Sequence, residues 1–257
     1  MGPIDVRPAT LEDAVSIAEV HYKAIEKYHV FYAGFLCTHP RDIIPKSTES
    51  ALRNHKNIFL VAVDTTTGQI MGFIRYQIVP KVAEPKQPEP EQPLAQLNQA
   101  HLSQSVVSLY APKDHLKDLW KKFNEREDEM EACYQGTARG EEHFYVKHIM
   151  VDPVHQRKGI GAKLLSTVLE RSDAEGRPTF LVASAEAHYL YSKLGFVDLE
   201  VFKIDNEAWS REVLDLERKL GIDVDQRFED ECKGLHEVES YMVRRTSRDH
   251  RNKGASA

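Results

Sequence analysis

A basic loop with two glycines, running from Gln156 to Gly161, lies where a helix is predicted to begin. The first N–H groups of a helix have no intrahelical partner, and the macrodipole places partial positive charge there, so phosphate oxygens can bind. Gly159 and Gly161 permit positive φ angles and a close ligand. Arg157 and Lys158 add positive charge. The pattern indicates an anion site or, alternatively, an ordinary strand-to-helix turn.

A strand and a helix must position this loop. The run from Phe144 to Val151 is mostly apolar, aromatic and β-branched, which predicts a buried strand. Pro153 has no N–H and ends its ladder. After the loop, apolar residues recur at helical spacing from Ala162 to Leu169. The loop has neither the GK[ST] ending of a Walker loop nor the three-glycine spacing of a dinucleotide site.

A second motif follows about one strand and one turn later. Together the two motifs have the form V-x-P-x-x-Q-R-K-G-I-G-x-x-L-L and A-x-x-L-Y-x-x-L-G-F. In this order they resemble the GNAT superfamily of acyl-CoA-dependent N-acyltransferases. In detail the chain looks most similar to uncharacterised fungal members of that superfamily. The matching residues are Val151, Pro153, Gln156, Gly159, Gly161, Leu164, Leu165, Ala187, Leu190, Tyr191, Leu194, Gly195 and Phe196.

The resemblance implies an α/β (α+β) fold. We expect a single GNAT-like domain over 1–245, with a mixed, mostly antiparallel sheet of about seven strands flanked by helices. The sheet should be splayed between the strands 144–151 and 179–183. We further expect a proline-rich excursion at about 80–105, a helical insertion at about 206–236 and a disordered basic tail at 246–257. The excursion is interpreted as a surface insertion, with a lid as the alternative.

The resemblance also implies that acetyl-CoA is the co-substrate and lies in the splayed gap. Its pantetheine arm would pair with the backbone of the first strand, and its pyrophosphate would lie on the amides of the glycine loop. Ser184 stands where many members have an asparagine that contacts the coenzyme. The predicted coenzyme-binding residues are Ile149, Met150, Val151, Gln156, Arg157, Lys158, Gly159, Ile160, Gly161, Ala162 and Ser184.

Tyr191 is the candidate catalytic residue. In the superfamily, the tyrosine of this motif commonly protonates the leaving thiolate. A phenol with a reference pKa of about 10 stays protonated at neutral pH and can act as a general acid. The alternative is that Tyr191 is a buried residue that anchors its helix.

No general base can be assigned from the sequence. Superfamily members often have Glu, Asp or His at the positions of Tyr145 and Lys147. Strict alternation predicts that successive side chains lie on opposite faces, with Tyr145, Lys147 and Ile149 on one and Val146, His148 and Met150 on the other. His148 would then lie on the face opposite to the two positions where superfamily members often have a base. Lys147 could serve only if burial lowered its pKa strongly. The remaining candidates, through a bridging water, are Glu142, His143, Glu26 and His29, and an amine can also lose its proton to water.

Further elements can be predicted along the chain. Thr10 and Asp13 resemble a capping box ahead of a helix. The segment from Glu26 to Phe35 is rich in aromatic residues, which either pack in the core or border the acceptor site. The other predicted elements are strands at 4–8, 58–63, 70–79, 197–204 and 238–243 and helices at 15–24, 114–134 and 206–220.

Composition narrows the class of protein. A net charge of −6 over 257 residues argues against general nucleic-acid binding. Three cysteines in no C-x-x-C pair favour a reducing compartment, and we expect a cytoplasmic protein. No apolar run approaches the ~20 residues needed to span a bilayer. The histidines form no H-E-x-x-H motif, so no metal site is expected.

The expected function is an N-acetyltransferase that moves the acetyl group of acetyl-CoA to a small-molecule amine by direct attack. One alternative acceptor is a protein lysine or N-terminus, which an acidic chain and an open groove would suit. A second alternative is a coenzyme-binding module without catalysis, motivated by the unusual Tyr145 and Lys147. We expect a monomer or a homodimer.

Overall fold

The computed structural model describes residues 2–81 and 108–246. The proline-rich excursion and the basic tail predicted above lie outside these residues, apart from positions 80, 81 and 246. Within the described ranges, the chain forms seven strands and eight α-helices.

The strands form one sheet in the order β1-β2-β3-β4-β5-β7-β6. Neighbouring strands are antiparallel except for β4 and β5, which are parallel. The predicted fold class is therefore confirmed. The strands are β1 (Ile4–Pro8), β2 (Ile58–Asp64), β3 (Ile70–Val79), β4 (His143–Val151), β5 (Thr179–Ser184), β6 (Val197–Asp205) and β7 (His236–Arg244).

The helices cover both faces of this sheet. Leu164, Leu165 and Val168 of α5 pack against Phe144 and Val146 of β4, on what we call the α5 face. The opposite face, the α1/α4 face, is covered by α1 and α4. The helices are α1 (Ala14–Ala24), α2 (His29–Phe35), α3 (Pro40–Arg53), α4 (Lys117–Ala138), α5 (Ile160–Glu175), α6 (Ala185–Lys193), α7 (Asn206–Lys219) and α8 (Gln226–Cys232).

The parallel strands β4 and β5 separate part of the way along. They pair at three positions, from Phe144 opposite Thr179 to Val146 opposite Leu181. Beyond Val146, β4 continues to Val151 with β3 as its partner. The edge of β4 that faces β5 is therefore open from Lys147 onward. We call this opening the fork, and it lies where the splay was predicted.

A β-bulge in β4 lies at the start of the fork. The antiparallel register pairs Arg75 with His148 and Tyr76 with Val146, so Lys147 is the extra residue of β4 at this point of the ladder. One extra residue on a strand reverses the parity of the side chains that follow it. The bulge therefore divides β4 into two segments of opposite alternation.

The prediction of strict alternation in β4 is wrong for this reason. Ile149 packs in the same cluster as Val146, on the α5 face. The ring of His148 lies 5.0 Å from the ring of His21 in α1, so His148 belongs to the α1/α4 face. Tyr145 packs with the α4 residues, also on that face.

The sequence did not predict α3. Pro40 occupies its first turn and Pro45 lies inside it, and proline usually marks the end of a helical pattern. A ring nitrogen of His39 accepts a hydrogen bond from the Arg41 backbone N–H at 3.1 Å and caps the helix. Ile43 and Ala51 are buried, so packing favours this helix over the local proline signal.

Candidate active site

The glycine loop, Gln156 to Gly161, adopts the backbone conformation that its sequence favours. Asp152 caps a short 3-10 turn at Pro153–His155, which directs the chain away from β4. Arg157 has a φ of 62° and Gly159 a φ of 79°, both left-handed. A Cβ at Gly159 would contact no atom within 4 Å, so conformation alone favours glycine there. α5 begins at the next residue, Ile160.

A run of backbone amides at this corner is unpaired. Gln156 donates its N–H to the carbonyl of Pro153 at 3.3 Å, and Lys163 donates to Gly159 at 3.0 Å. Between them, the amides from Arg157 to Ala162 donate to no group in residues 2–81 and 108–246. Converging free N–H groups at a helix N-terminus form an anion site.

The long side chains of the loop support its shape. Gln156 donates from Nε2 to the carbonyl of Val151 at 3.2 Å. The Lys158 ammonium donates to the carbonyl of Val154 at 2.8 Å. The first contact fastens the loop to the end of β4 and the second to the 3-10 turn, and together they keep the free amides next to the fork.

Tyr191 lies in α6, the helix that follows β5. Tyr191 is 6% exposed and packs in the cluster on the α5 face that Ile149 and Val151 also contact. Burial raises the pKa of its hydroxyl to about 12. At neutral pH the hydroxyl is therefore protonated, as a proton donor must be.

Ser184 lies across the fork from β4. It ends β5, is exposed and occupies the N-cap position of α6. Two positions further on, Glu186 forms an ion pair with Lys27 at 2.5 Å. The Lys27 pair joins the predicted aromatic segment to the first turn of α6.

The α1/α4 face below the fork carries basic groups. Burial lowers the pKa of Lys147 to about 8 and that of Arg75 to about 10. Burial also lowers the pKa of His21 to about 4 and that of His148 well below its usual value. At neutral pH the two imidazoles are uncharged, and roughly a tenth of Lys147 is neutral.

The other predicted base candidates lie in different surroundings. His143 is bound at both ring nitrogens, to the Glu141 carbonyl and to the Tyr134 hydroxyl, at the paired end of β4. Glu142 forms an ion pair with Arg177 at 2.9 Å. His29 is buried against Tyr22, with ring centroids 3.8 Å apart, and Glu26 is exposed in the turn before α2.

Sequence reasoning missed one carboxyl group. Glu239 of β7 pairs in register with Ser184, next to the fork. Burial raises the pKa of its carboxyl to about 7. The stretch Glu237-Val238-Glu239 has a charge at alternate positions, which is typical of a solvent-exposed strand face, so this pattern does not predict a half-buried Glu239.

The aromatic segment borders the same region. Tyr28 lies in the turn before α2, and Tyr32 lies in α2. Burial raises the pKa of both hydroxyls, and the nearby Glu237 carboxylate raises it further. α2 also packs in a cluster with α4, α7 and α8. The segment therefore contributes both core packing and a wall beside β7.

Comparisons with known proteins bear on these features. Residues 123–198 match the family model described as "Acetyltransferase (GNAT) domain". That range includes β4, the glycine loop, α5, β5 and Tyr191. No curated protein matches the chain in sequence.

Two solved structures resemble the fold. One, from Corynebacterium glutamicum, is described as histone acetyltransferase HPA2 and related acetyltransferase; it is 18% identical, with a TM-score of 0.53, and the match covers 96% of this chain and 98% of that one. The other is a mosquito arylalkylamine N-acetyltransferase like 5b; it is 17% identical, with a TM-score of 0.53, and the match covers 95% of this chain and 100% of that one. At these identities the likeness shows the fold.

Two further findings concern the whole described chain. Cys37, Cys133 and Cys232 are free thiols. Within residues 2–81 and 108–246, no helix has the length and apolar character required to cross a membrane. Residues 123–198 therefore carry a GNAT acetyltransferase domain by their family match, and the activity that this match indicates is acyl transfer from acetyl-CoA.

Proposed function

We propose that the chain is an N-acetyltransferase that transfers the acetyl group of acetyl-CoA to the amine of a small molecule. The observation that carries this proposal is the run of free amides from Arg157 to Ala162 at the open end of the fork. These amides and Gln156 bind the pyrophosphate of the coenzyme, and the open edge of β4 at Ile149–Val151 pairs with its pantetheine arm. Ser184 contacts it from the side of β5.

Tyr191 supplies the proton in the proposed reaction. The acceptor amine attacks the thioester carbonyl, a C–N bond forms and the C–S bond breaks. The Tyr191 hydroxyl gives its proton to the leaving sulfur and regains one from the nitrogen. Burial supports this role, because a phenol with a pKa of about 12 is fully protonated before each turnover.

A small acceptor fits the surroundings of the fork. The Lys27–Glu186 ion pair connects the turn before α2 to α6, and Tyr28 and Tyr32 lie beside β7. These contacts narrow the route by which an acceptor reaches the fork from the α1/α4 face. A peptide substrate needs an extended groove. Tyrosine rings offer apolar surface to a small organic amine.

We also propose the setting in which this activity occurs. The three free cysteines favour a cytoplasmic, reducing compartment. The packing of α7 and α8 against α2 supports a single domain that includes the 206–236 insertion. We propose that the domain acts as a monomer or a homodimer.

Two measurements on the full chain test the proposal. Acetyl-CoA at ~100 times its dissociation constant should add about 2.7 kcal/mol to the free energy of unfolding. Thiol release from acetyl-CoA should then be faster with small primary amines than with a lysine-containing peptide. Absence of stabilisation would refute coenzyme binding, and faster release with the peptide would refute the small acceptor.

A further inference from the structure

Within the proposed function, one proton has no assigned acceptor. A simple alkylamine is protonated at neutral pH and must lose a proton before it attacks a thioester. His21 and His148 have pKa values far below neutrality, so they bind a proton weakly. His143 and Glu142 lie at the paired end of β4. A base is therefore needed that lies beside the fork and has a free lone pair.

We propose that the carboxylate of Glu239 is this general base, and that Arg126 of α4 positions it. The assignment rests on the proposed function, because it gives Glu239 a role in the same transfer. Arg126 acts through Glu239 and is a positioning residue.

The strand register places Glu239 at the fork. β5 and β7 pair without interruption, with Ser184 opposite Glu239 and Val182 opposite Tyr241. The hydroxyl of Tyr241 lies 3.2 Å from that of Tyr145, on the α1/α4 face of the sheet. Side chains two positions apart on a strand share a face. Glu239 therefore points to the α1/α4 face, next to the last residue of β5.

One oxygen of the Glu239 carboxylate has no hydrogen-bond partner in the described residues. The Oε2 of Glu239 is buried and accepts no hydrogen bond from the described residues. The Nε of Arg126 is also buried and donates none to them. The two atoms lie 3.7 Å apart, close enough to attract but too far for a direct hydrogen bond. The Nη1 of Arg126 donates to the Phe123 carbonyl at 2.5 Å, which fixes the guanidinium on α4.

The surrounding charges set the protonation of Glu239. Burial is the largest influence and raises its pKa, Arg126 lowers it, and nearby carboxylates raise it again. A carboxyl that titrates near neutrality can both accept a proton and return it to water. The groups that face it are Arg126 and Glu127 from α4, Glu237 from β7, Tyr145 from β4 and Tyr32 from α2.

The proton balance is complete with these groups. Glu239 takes one proton from the acceptor ammonium, and the neutral amine attacks the carbonyl carbon. Tyr191 protonates the departing sulfur and recovers the second nitrogen proton. Glu239 then releases its proton to water, so the products are the amide, the free thiol and one proton.

The first test needs no acceptor. In protein labelled with ¹³C at glutamate carboxyls and bound to acetyl-CoA, one carboxyl should titrate near pH 7 and vanish from the spectrum in Glu239→Gln. Arg126→Gln should move that titration to higher pH, and Arg126→Lys should restore it, because the cation favours the carboxylate. A Glu239 signal that titrates at the usual glutamate value would overturn the proposal.

The second test separates the base from the scaffold. With 2-phenylethylamine as the probe, Glu239→Gln should lower kcat by about 10²- to 10⁴-fold and abolish the rise of rate between pH 6 and 8. Hydroxylamine is already neutral at pH 7, so its rate should change only a few-fold. Glu129→Gln, at an exposed position of α4, is the control and should keep the pH rise. Equal losses with both nucleophiles would contradict a base and indicate a structural role.

The outcome also distinguishes this inference from the proposed function. If acetyl-CoA fails to stabilise the wild-type chain, the proposed function fails. If stabilisation and thiol release persist unchanged in Glu239→Gln, the transferase proposal stands and the base assignment fails.

Discussion

Tyr191 is buried and Glu239 is half-buried, and loss of solvent affects the hydroxyl and the carboxyl group differently. It raises the pKa of the Tyr191 hydroxyl to about 12, so the phenol is protonated at neutral pH. It raises the pKa of the Glu239 carboxyl to about 7, so a large fraction is ionised there. Two titrating groups with different pKa values on either side of a fork are suited to the proposed roles of acid and base.

Replacement of Tyr191 tests the acid directly. Tyr191→Phe removes the hydroxyl and keeps the ring that packs near Phe196, with centroids 6.0 Å apart. We expect kcat to fall by about 10²-fold or more, with a few-fold change at most in the affinity for acetyl-CoA. Steady-state thiol release and calorimetric titration measure the two quantities.

Tyr189→Phe is the matched control for that change. Tyr189 lies on the same helix but is 67% exposed, so its variant should keep wild-type kcat. If Tyr191→Phe lost coenzyme affinity and turnover equally, Tyr191 would be a scaffold residue.

At the scale of elements, the glycine loop is the feature that the sequence predicted best. Its strand, its helix and its left-handed glycine follow from apolar periodicity and from the position of Gly159, which are local signals. The bulge at Lys147 could not be predicted in the same way. The bulge is visible only once β4 is paired with β3. It places His148 on the α1/α4 face, where Tyr145 also lies.

Gly159→Ala tests the loop as an element. Alanine at a φ of 79° meets no neighbouring atom, so its cost is conformational, about 1–2 kcal/mol. We expect the affinity for acetyl-CoA to fall as well, because the amides that follow Gly159 must shift. Chemical denaturation and calorimetric titration separate the two effects.

Gly68→Ala provides the control for this variant. Gly68 has a φ of 75° in the β2–β3 connection and also has open space around its Cβ position. It should lose similar stability and retain the affinity for acetyl-CoA. Loss of affinity in both variants would mean that stability, rather than loop shape, controls binding.

The junction of β1 and α1 has its own pH dependence. Asp13 accepts two hydrogen bonds from Arg7 at 2.8 Å and one from the Thr10 N–H at 2.7 Å. The Arg7 hydrogen bond is the main cause that lowers the pKa of Asp13 to about 2. The stabilisation is complete above the unfolded pKa of about 4 and is lost as the pH falls through 2.

Asp13→Asn should therefore lower the free energy of unfolding by about 1–2 kcal/mol at pH 7 and by much less at pH 2. Urea denaturation at both pH values measures this difference. Glu12→Gln, at an exposed neighbour, should have little effect at either pH. A constant cost for Asp13→Asn across the pH range would contradict the ionic account.

At the scale of the whole molecule, the 206–236 insertion is part of the core. Phe228 of α8 is 4% exposed and packs with Phe31 and Phe35 of α2. A Cβ added at Gly34 of α2 would lie 2.3 Å from the Phe228 ring, so the two helices are in direct contact. The insertion thereby supports α2, which borders the proposed acceptor region.

Phe228→Ala should show this coupling. We expect a loss of about 3–5 kcal/mol in the free energy of unfolding, from lost burial and the cavity that remains. We also expect a higher KM for an amine acceptor, because α2 loses its support, while acetyl-CoA affinity changes little. Tyr189→Ala, at an exposed ring, should alter stability by less than about 0.5 kcal/mol. An unchanged KM would show that the insertion stabilises the domain without shaping the acceptor region.

The sequence predicted the elements of the proposed donor side more fully than those of the proposed acceptor side, for a physical reason. The donor side consists of consecutive residues from β4 through the glycine loop, so its pattern is readable in one stretch. The acceptor side joins α1, α2, α4 and β7, which meet only in the folded chain. Glu239 and Arg126 are 113 positions apart in sequence, and nothing local to either indicates the other.

Backbone hydrogen exchange provides the sharpest test that acetyl-CoA binds in the fork. Acetyl-CoA bound in the fork should slow the exchange of the amides from Arg157 to Ala162, which have no partner within the described residues of the free chain. The predicted result is slower exchange both in this run and along the open edge of β4 at Ile149–Val151. Unchanged exchange in both segments at saturating acetyl-CoA would contradict the account.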